Sequence, residues 1–275
     1  MKIRNKAFGV ITCMLIAFLY IVILKALGYA EYKLFHSSEY YSLSGVLVQC
    51  LATAVIFIPL ILYKKINVLK RMRVSIWRGL GVAGFYTFCM LLLVYTAFQQ
   101  VVVNYALGKS FLPVYKILLF ALSMILVGLS EELLFRGVIY NVLSDFFGRD
   151  TRKGVILTVL WSGFIFGSVH ITNYFSGVSL SGAYFQSVAA IGIGCYFGAI
   201  YARTDNLWVL VILHALNDMA LDVEGGLFGI GTIADSVSAY GPTTYITLIL
   251  YLGLAMFLLR KKKSNEYISE SYGQE

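Results

Sequence analysis

Apolar runs of about twenty residues recur along the chain, and they constrain the fold more than any other feature of the sequence. Hydrophobic residues make up 59% of the 275 residues and charged residues only 13%, whereas soluble domains carry about 25% charged residues. A helix needs about 20 apolar residues to cross a bilayer, and β-barrels show short alternating strands instead. The sequence therefore predicts an all-α, polytopic membrane helix bundle and excludes an ordinary soluble enzyme.

Eight segments are predicted to be spanning helices. They cover approximately residues 7–28, 43–63, 80–100, 111–143, 154–172, 184–202, 207–222 and 242–260. The first is longer than the apolar region of a signal peptide, so it is interpreted as a retained helix. The fourth exceeds the length of a span, so its C-terminal end is expected to project from the membrane. The bundle is predicted to form one unit over residues 1–263, and the polar tail 264–275 is expected to be disordered.

The basic residues predict the orientation of the bundle. Most of the 22 Lys and Arg residues lie near the N-terminus, in residues 64–78, 149–153 and 260–263, and at Arg203. The positive-inside rule then predicts that both termini are cytoplasmic in a multi-pass protein of the cell membrane. The net charge of +8 is accounted for by contact with anionic lipid head groups, so the bilayer, and not nucleic acid, is the predicted partner. Oligomeric state is left open by this pattern.

Polar residues interrupt the fourth predicted helix at Ser130-Glu131-Glu132 and again at Arg136. Glu132 and Arg136 are four residues apart with the acid first, which is the favoured order for an ion pair on a helix. Glu131 points about 100° away, so it is predicted to be a free, working carboxylate. The alternative is that all three residues form a purely structural ion-pair cluster.

Two further helices carry histidines inside apolar runs. Phe166 and His170 lie one turn apart on the fifth, and His214, Asn217 and Asp218 lie within one turn on the seventh. Singly, His170 is more typical of a packing histidine, and His214 with Asp218 equally fits a local hydrogen bond. However, each charge in a bilayer costs at least about 2.5–3.5 kcal/mol. We therefore expect these residues and the acids of the fourth helix to share one hydrated pocket. A carboxylate beside two imidazoles suits hydrolysis, because the acid can accept a proton from water.

These three segments resemble the CAAX protease and bacteriocin-processing (CPBP, or Abi) family of intramembrane endopeptidases. The family pattern is EExxxR, then FxxxH, then HxxxN or HxxxD, each on its own spanning helix, and here it covers about residues 111–222. The resemblance implies that Glu131 is the general base that activates water and that His170 is its partner. It also implies that His214 and Asp218 polarise the scissile carbonyl group.

The same resemblance implies that Glu132 and Arg136 shape the site, with Glu132 sharing the acid–base work. Prenyl-protein endopeptidases of the family carry Asn at the last motif position, whereas this chain has Asp218 preceded by Asn217. Which of these two side chains faces the site is open from the sequence.

Whether a metal takes part is also open from the sequence. His170, His214 and Glu131 would be an acceptable zinc set with an open position for water. A glutamate mechanism without a cofactor uses the same residues in other roles and is preferred.

The predicted function is an intramembrane endopeptidase that cleaves a membrane-associated peptide or protein. The short loops and basic interior side suggest a bacterial plasma membrane. For a protein located there, the resemblance implies peptide maturation or bacteriocin immunity in place of farnesylated substrates. The alternative is a non-catalytic membrane partner that binds a sensor kinase or secretion component through the same pocket. A proton-coupled transporter is less favoured, because the sequence shows no internal repeat.

Overall fold

The computed structural model describes residues 5–35 and 41–268, and these residues form an all-helical bundle without β-strands. Most of the helices are apolar around their whole circumference, as expected of helices that face either lipid or one another. The α-helices are α1 (Lys6–Phe35), α2 (Leu43–Leu62), α3 (Ile76–Val82), α4 (Gly84–Ala106), α5 (Val114–Glu132), α6 (Asn141–Phe147), α7 (Arg152–Val169), α8 (Leu180–Thr204), α9 (Leu207–Leu221), α10 (Val223–Phe228), α11 (Ile233–Ser238) and α12 (Thr244–Leu258).

The structure confirms the predicted fold class, and each of the eight predicted spans corresponds to a helix. Among the described residues, six segments are long and apolar enough to cross a membrane: α1, α2, α4, the segment from α5 to α6, α7 with its extension to Ser176, and α8. The other two predicted spans, α9 and α12, are shorter apolar helices of 15 residues each. At 1.5 Å per residue they are about 22 Å long, which is shorter than the roughly 30 Å hydrocarbon core.

The segment predicted as one long fourth helix changes its hydrogen-bonding pattern in the middle. After α5, residues Leu133–Tyr140 form a π-helix, and α6 follows without a break. All eight π-helical residues are buried. The C-terminal end of the segment packs against α1 and α7, so it is covered by protein and does not stand free. This π segment forms the centre of the bundle.

Small residues allow α7 and α8 to pack very closely, as the GxxxG spacing in the sequence suggests. A Cβ atom added at Gly163 would lie 2.5 Å from the backbone nitrogen of Cys195, and one added at Gly167 would lie 2.5 Å from that of Ile191. Any larger side chain would therefore push the two helices apart. This contact fixes α8 against the helix that carries the FxxxH motif.

The segments predicted to lie inside the cell meet at one end of the bundle. Lys65, after α2, pairs with Asp145 of α6 at 2.6 Å. Arg203, at the end of α8, pairs with Glu266 beyond α12, and Arg152 donates to a backbone carbonyl at the end of α12 at 2.8 Å. These contacts place four separate basic segments on the same side, as the positive-inside assignment requires.

The first residues of the predicted disordered tail are packed in the structure. Lys261–Glu266 form a 3₁₀ helix, and the buried Tyr267 donates its hydroxyl proton to the carbonyl of Leu259 at 2.7 Å. The remainder of that tail, residues 269–275, lies outside the described residues. The ordered helical unit therefore extends past residue 263.

Glu266 anchors this segment electrostatically. Partial burial raises the pKa of its carboxyl group, but hydrogen bonds from Lys263 and Arg203 outweigh this effect, so the pKa lies below its ordinary value. The carboxylate is consequently the form that holds the segment against α8.

Candidate active site inside the helix bundle

A buried ion pair lies at the start of the π segment. Nη1 of Arg136 donates to Oε1 of Glu132 at 3.0 Å, and neither side chain is exposed. Nη2 of the same guanidinium donates to the carbonyl oxygen of Gly194 at 3.1 Å. The rings of Phe166 and Phe197 lie 4.6 and 5.4 Å from Arg136 Cζ. The pair expected from the i, i+4 spacing is thus present, and aromatic faces add cation–π stabilisation.

His214 of α9 lies among three carboxylates. Its Nδ1–H donates to Oε1 of Glu132 at 2.8 Å, which leaves Nε2 facing the other two acids. Nε2 lies 3.7 Å from Oε2 of Glu131 and 3.6 Å from Oδ2 of Asp218. The hydrogen bond to Glu132 fixes the ring orientation, so Nε2 is the nitrogen available for chemistry.

Glu131 faces a small cavity, unlike the adjacent Glu132. The cavity has a volume of about 50 Å³, and its lining includes Tyr20 of α1, Gln49 of α2, Phe135 and Val169. The Glu131 side chain is 26% exposed. Among the residues that the structure describes, its Oε2 atom accepts no hydrogen bond. The adjacent acids therefore differ in their surroundings: Glu132 is fully buried in an ion pair, and Glu131 lines the cavity.

His170 lies where α7 ends and a 3₁₀ helix begins. Its Nδ1–H donates to the carbonyl oxygen of Phe166 at 2.9 Å, so Nε2 of the neutral ring is an acceptor. The Phe166 ring lies between the two imidazoles, with centroids 4.9 Å from His170 and 6.2 Å from His214. The two histidines are therefore on the same side of the bundle interior, separated by one aromatic ring.

The structure resolves which residue at the end of the third motif faces His214. The Asp218 carboxylate does so, and Asn217 donates from Nδ2 to Oδ1 of Asp218 at 3.2 Å. The Asn217 carbonyl oxygen accepts a hydrogen bond from the Tyr86 hydroxyl at 3.3 Å. Tyr86 belongs to α4, outside the three motifs. No signal in the sequence distinguishes it from the 19 other tyrosines of the chain.

The zinc alternative requires His170, His214 and Glu131 to act as one ligand set. Within residues 5–35 and 41–268, no three His, Cys, Asp or Glu side chains are grouped so that they could hold a metal ion. No step below depends on a metal.

Comparison with known proteins identifies the central part of the chain. Residues 113–220 match the family model described as Type II CAAX prenyl endopeptidase Rce1-like. The matched segment contains all three motifs and runs from the start of α5 to near the end of α9, and it confirms the resemblance found in the sequence. No curated protein and no solved structure gave a match.

Proposed function

Since residues 113–220 match the family model described as Type II CAAX prenyl endopeptidase Rce1-like, we propose that the protein is an intramembrane endopeptidase acting on a membrane-associated peptide or protein. The observation that carries the proposal is the arrangement of Glu131, Glu132 and Asp218 around His214. Such a group of acids and an imidazole inside apolar helices is costly to maintain unless it is used.

Glu131 is the general base in this proposal. The cavity beside it has about 50 Å³, and about 10–15 Å³ of such volume is enough for one water molecule. The Glu131 carboxylate, whose side chain is 26% exposed, accepts a proton from that water as the water oxygen attacks the scissile carbonyl carbon. His170 directly follows Val169, which lines the same cavity, and its Nε2 is the acceptor that we propose orients the attacking water.

His214 and Asp218 act on the other side of the reacting group. With Nδ1 bound to Glu132, a protonated His214 presents its Nε2–H to the developing oxyanion, and a protonated Asp218 carboxyl group does the same. Glu132 shares the proton with His214, and Arg136 holds Glu132 in place. When the carbon–nitrogen bond breaks, the proton taken up by Glu131 passes to the leaving amine, which balances the reaction.

The proposed location is a bacterial plasma membrane, with substrates such as a maturing peptide or a bacteriocin. Support comes from the basic segments gathered at one end of the bundle, which match the positive-inside pattern of a multi-pass membrane protein.

The test compares Glu131→Gln with Glu224→Gln in the purified protein reconstituted into liposomes. Glu224 accepts a hydrogen bond from Asn104 at 2.6 Å, which a glutamine can also accept, so the control keeps its contact. Cleavage of a membrane-anchored peptide library is measured by mass spectrometry. We expect Glu131→Gln and His170→Ala each to reduce turnover by about 10²–10⁴-fold, with melting temperatures close to that of the unaltered protein.

Equal turnover in Glu131→Gln and Glu224→Gln would refute the assignment of the base. A strong chelator in the same assay distinguishes the two mechanisms, because only the glutamate mechanism keeps its activity. If the unaltered protein cleaves no library member, the non-catalytic alternative is favoured. Glu131→Gln should then leave the biological phenotype unchanged.

A further inference from the structure

A second cavity lies at the basic end of the bundle, beyond the C-terminal end of the π segment. It has a volume of about 40 Å³, and its lining includes Tyr140, Asn141, Ser144 and Tyr201. All four of these side chains are buried, and all four carry hydrogen-bonding groups. A polar floor of this kind is unusual in a chain with 59% hydrophobic residues, and the proposed peptidase mechanism makes no use of it.

The buried polar lining of this cavity is held in place by hydrogen bonds to the segment that also carries the buried ion pair. Nδ2 of Asn141 donates to the carbonyl oxygens of Arg136 and Gly137 at 2.6 and 3.1 Å. The Asn141 side chain therefore has one orientation, with Oδ1 directed to the cavity side. A binding surface that is already ordered loses little entropy when a ligand arrives.

Three arginines from two separate segments converge on this floor. Nη2 of Arg71 donates to Oδ1 of Asn141 at 2.9 Å and to the hydroxyl of Tyr201 at 2.8 Å. Nη2 of Arg149 donates to the same Oδ1 at 3.0 Å. Arg73 also lines the cavity, and its Nη1 donates to the backbone carbonyl of Glu266. Guanidinium groups packed around a neutral side chain repel one another, so this arrangement favours an anion.

Two acids lie near these arginines among the described residues. Asp205 lines the cavity and lies 3.6 Å from Arg71, and Asp145 lies 3.3 Å from Arg149 and 2.6 Å from Lys65. The cavity therefore opens at an end of the bundle where basic residues exceed acids, and where the positive-inside pattern places the cytoplasmic leaflet. That leaflet carries the anionic lipids, and basic pockets between helices at this level suit their head groups.

We propose that this cavity binds a phosphate group, supplied by the head group of an anionic phospholipid or by free phosphate. Arginine forks match phosphate oxygens with two parallel hydrogen bonds, and the hydroxyl of Tyr201 adds a neutral partner. Arg73 is exposed, so it closes over the ligand from the rim. The proposal does not depend on the peptidase reaction, because it concerns a different cavity and is measured by binding.

The experiment uses the full-length protein in uncharged detergent and measures binding of a fluorescent, short-chain phosphatidylglycerol. Phosphatidylcholine serves as the lipid control, and inorganic phosphate as the competitor. Arg73→Gln is compared with Arg78→Gln, which removes the same charge from an exposed residue of α3 that does not line the cavity. Arg73→Gln removes a charge-assisted hydrogen bond to phosphate, so the affinity for the lipid should fall by about 10–100-fold. Arg78→Gln should lose no more than about fivefold.

Arg73→Lys keeps the charge but lacks the fork, so it should bind with intermediate affinity, and melting temperatures establish that each variant is folded. Competition by inorganic phosphate at the affinity of the lipid would assign the cavity to free phosphate. Lipid binding that phosphate does not displace would assign it to the head group. Equal losses in Arg73→Gln and Arg78→Gln, or equal binding of phosphatidylcholine, would overturn the proposal, because the first result shows no role for the cavity arginine and the second shows no preference for an anionic phosphate ligand over a zwitterionic one.

Discussion

Replacing Arg136 with methionine tests the buried pair on which the candidate site is built. In the structure its guanidinium lies 3.0 Å from the Glu132 carboxylate, with neither side chain exposed, and it donates to the carbonyl oxygen of Gly194. Methionine fills much of the same volume without a charge or a donor. In the variant, Glu132 keeps only the hydrogen bond from His214, and the Gly194 carbonyl loses its side-chain partner.

The expected loss of stability follows from this geometry. At 3.0 Å and an effective dielectric constant of about 20, Coulomb's law gives an attraction of about 5 kcal/mol. Removing one partner of a buried pair costs about 3–5 kcal/mol, because the other charge is left uncompensated. His214 can bind a proton and supply part of the missing charge, so we expect a loss near 3 kcal/mol. The double variant Glu132→Gln/Arg136→Met leaves no unpaired charge and should lose less than the sum of the single variants.

The free energy of unfolding is measured by equilibrium denaturation in mixed micelles of dodecyl sulfate and an uncharged detergent, followed by helical circular dichroism. Arg78→Met is the matched control, because it removes an exposed arginine and should change stability by less than about 0.5 kcal/mol. If Arg136→Met were as stable as this control, or if the single-variant losses simply added in the double variant, the buried pair could not be the electrostatic anchor described above.

Three further predictions follow from other contacts. Gly163→Ala should lower the free energy of unfolding by about 1–3 kcal/mol through overpacking, whereas Gly198→Ala, where a Cβ has 3.5 Å of space, should change it little in the same denaturation assay. Tyr86→Phe removes one hydrogen bond to Asn217, so the free energy of unfolding should fall by about 0.5–1.5 kcal/mol in the same assay, and kcat should fall as well because Asn217 holds Asp218. The lowered pKa of Glu266 means that its stabilising effect is full above the ordinary pKa of glutamate and is lost as pH falls through the lowered value. Melting temperatures measured against pH should therefore drop less steeply on the acid side in Glu266→Gln than in the unaltered protein.

The ion pair between Glu132 and Arg136 could be predicted from the sequence, because the prediction needs only the geometry of one helix. Glu132 and Arg136 are four residues apart on one helix, and the spacing alone brings the side chains together. The convergence of this pair with His214 and Asp218 is also predictable, since isolated charges in lipid are costly. Each of these inferences depends either on the geometry of a single helix or on the large free-energy cost of an isolated charge in lipid.

The partner of His214 could not be predicted in the same way. Its Nδ1–H donates to Glu132 and not to Glu131, and this choice depends on how α9 is rotated and shifted against α5 by a few ångströms. Tyr86 escapes prediction for the same reason, because it reaches Asn217 from α4, a helix without a motif. Contacts between helices depend on how the whole bundle packs. The hydrophobic periodicity of a single helix therefore does not predict them.

The π-helix at Leu133–Tyr140 was likewise outside the reach of sequence periodicity. Its residues are apolar apart from Arg136 and contain no proline, so nothing in the pattern separates a turn of i→i+5 hydrogen bonds from an α-helical one. Such turns are rare and occur often at functional sites. Here all eight residues of the segment are buried, and this burial supplies the packing that stabilises it.

The two adjacent glutamates gain their different roles from their position just before this segment. Successive helical residues point about 100° apart, so a doublet cannot place both carboxylates in one environment. Glu132 takes the buried direction, toward Arg136 and His214, and Glu131 takes the direction of the cavity. A base must exchange protons with water, whereas an anchor must not move. The doublet therefore supplies one carboxylate for the base, Glu131, and one for the anchor, Glu132. A single glutamate at either position could not fill both roles.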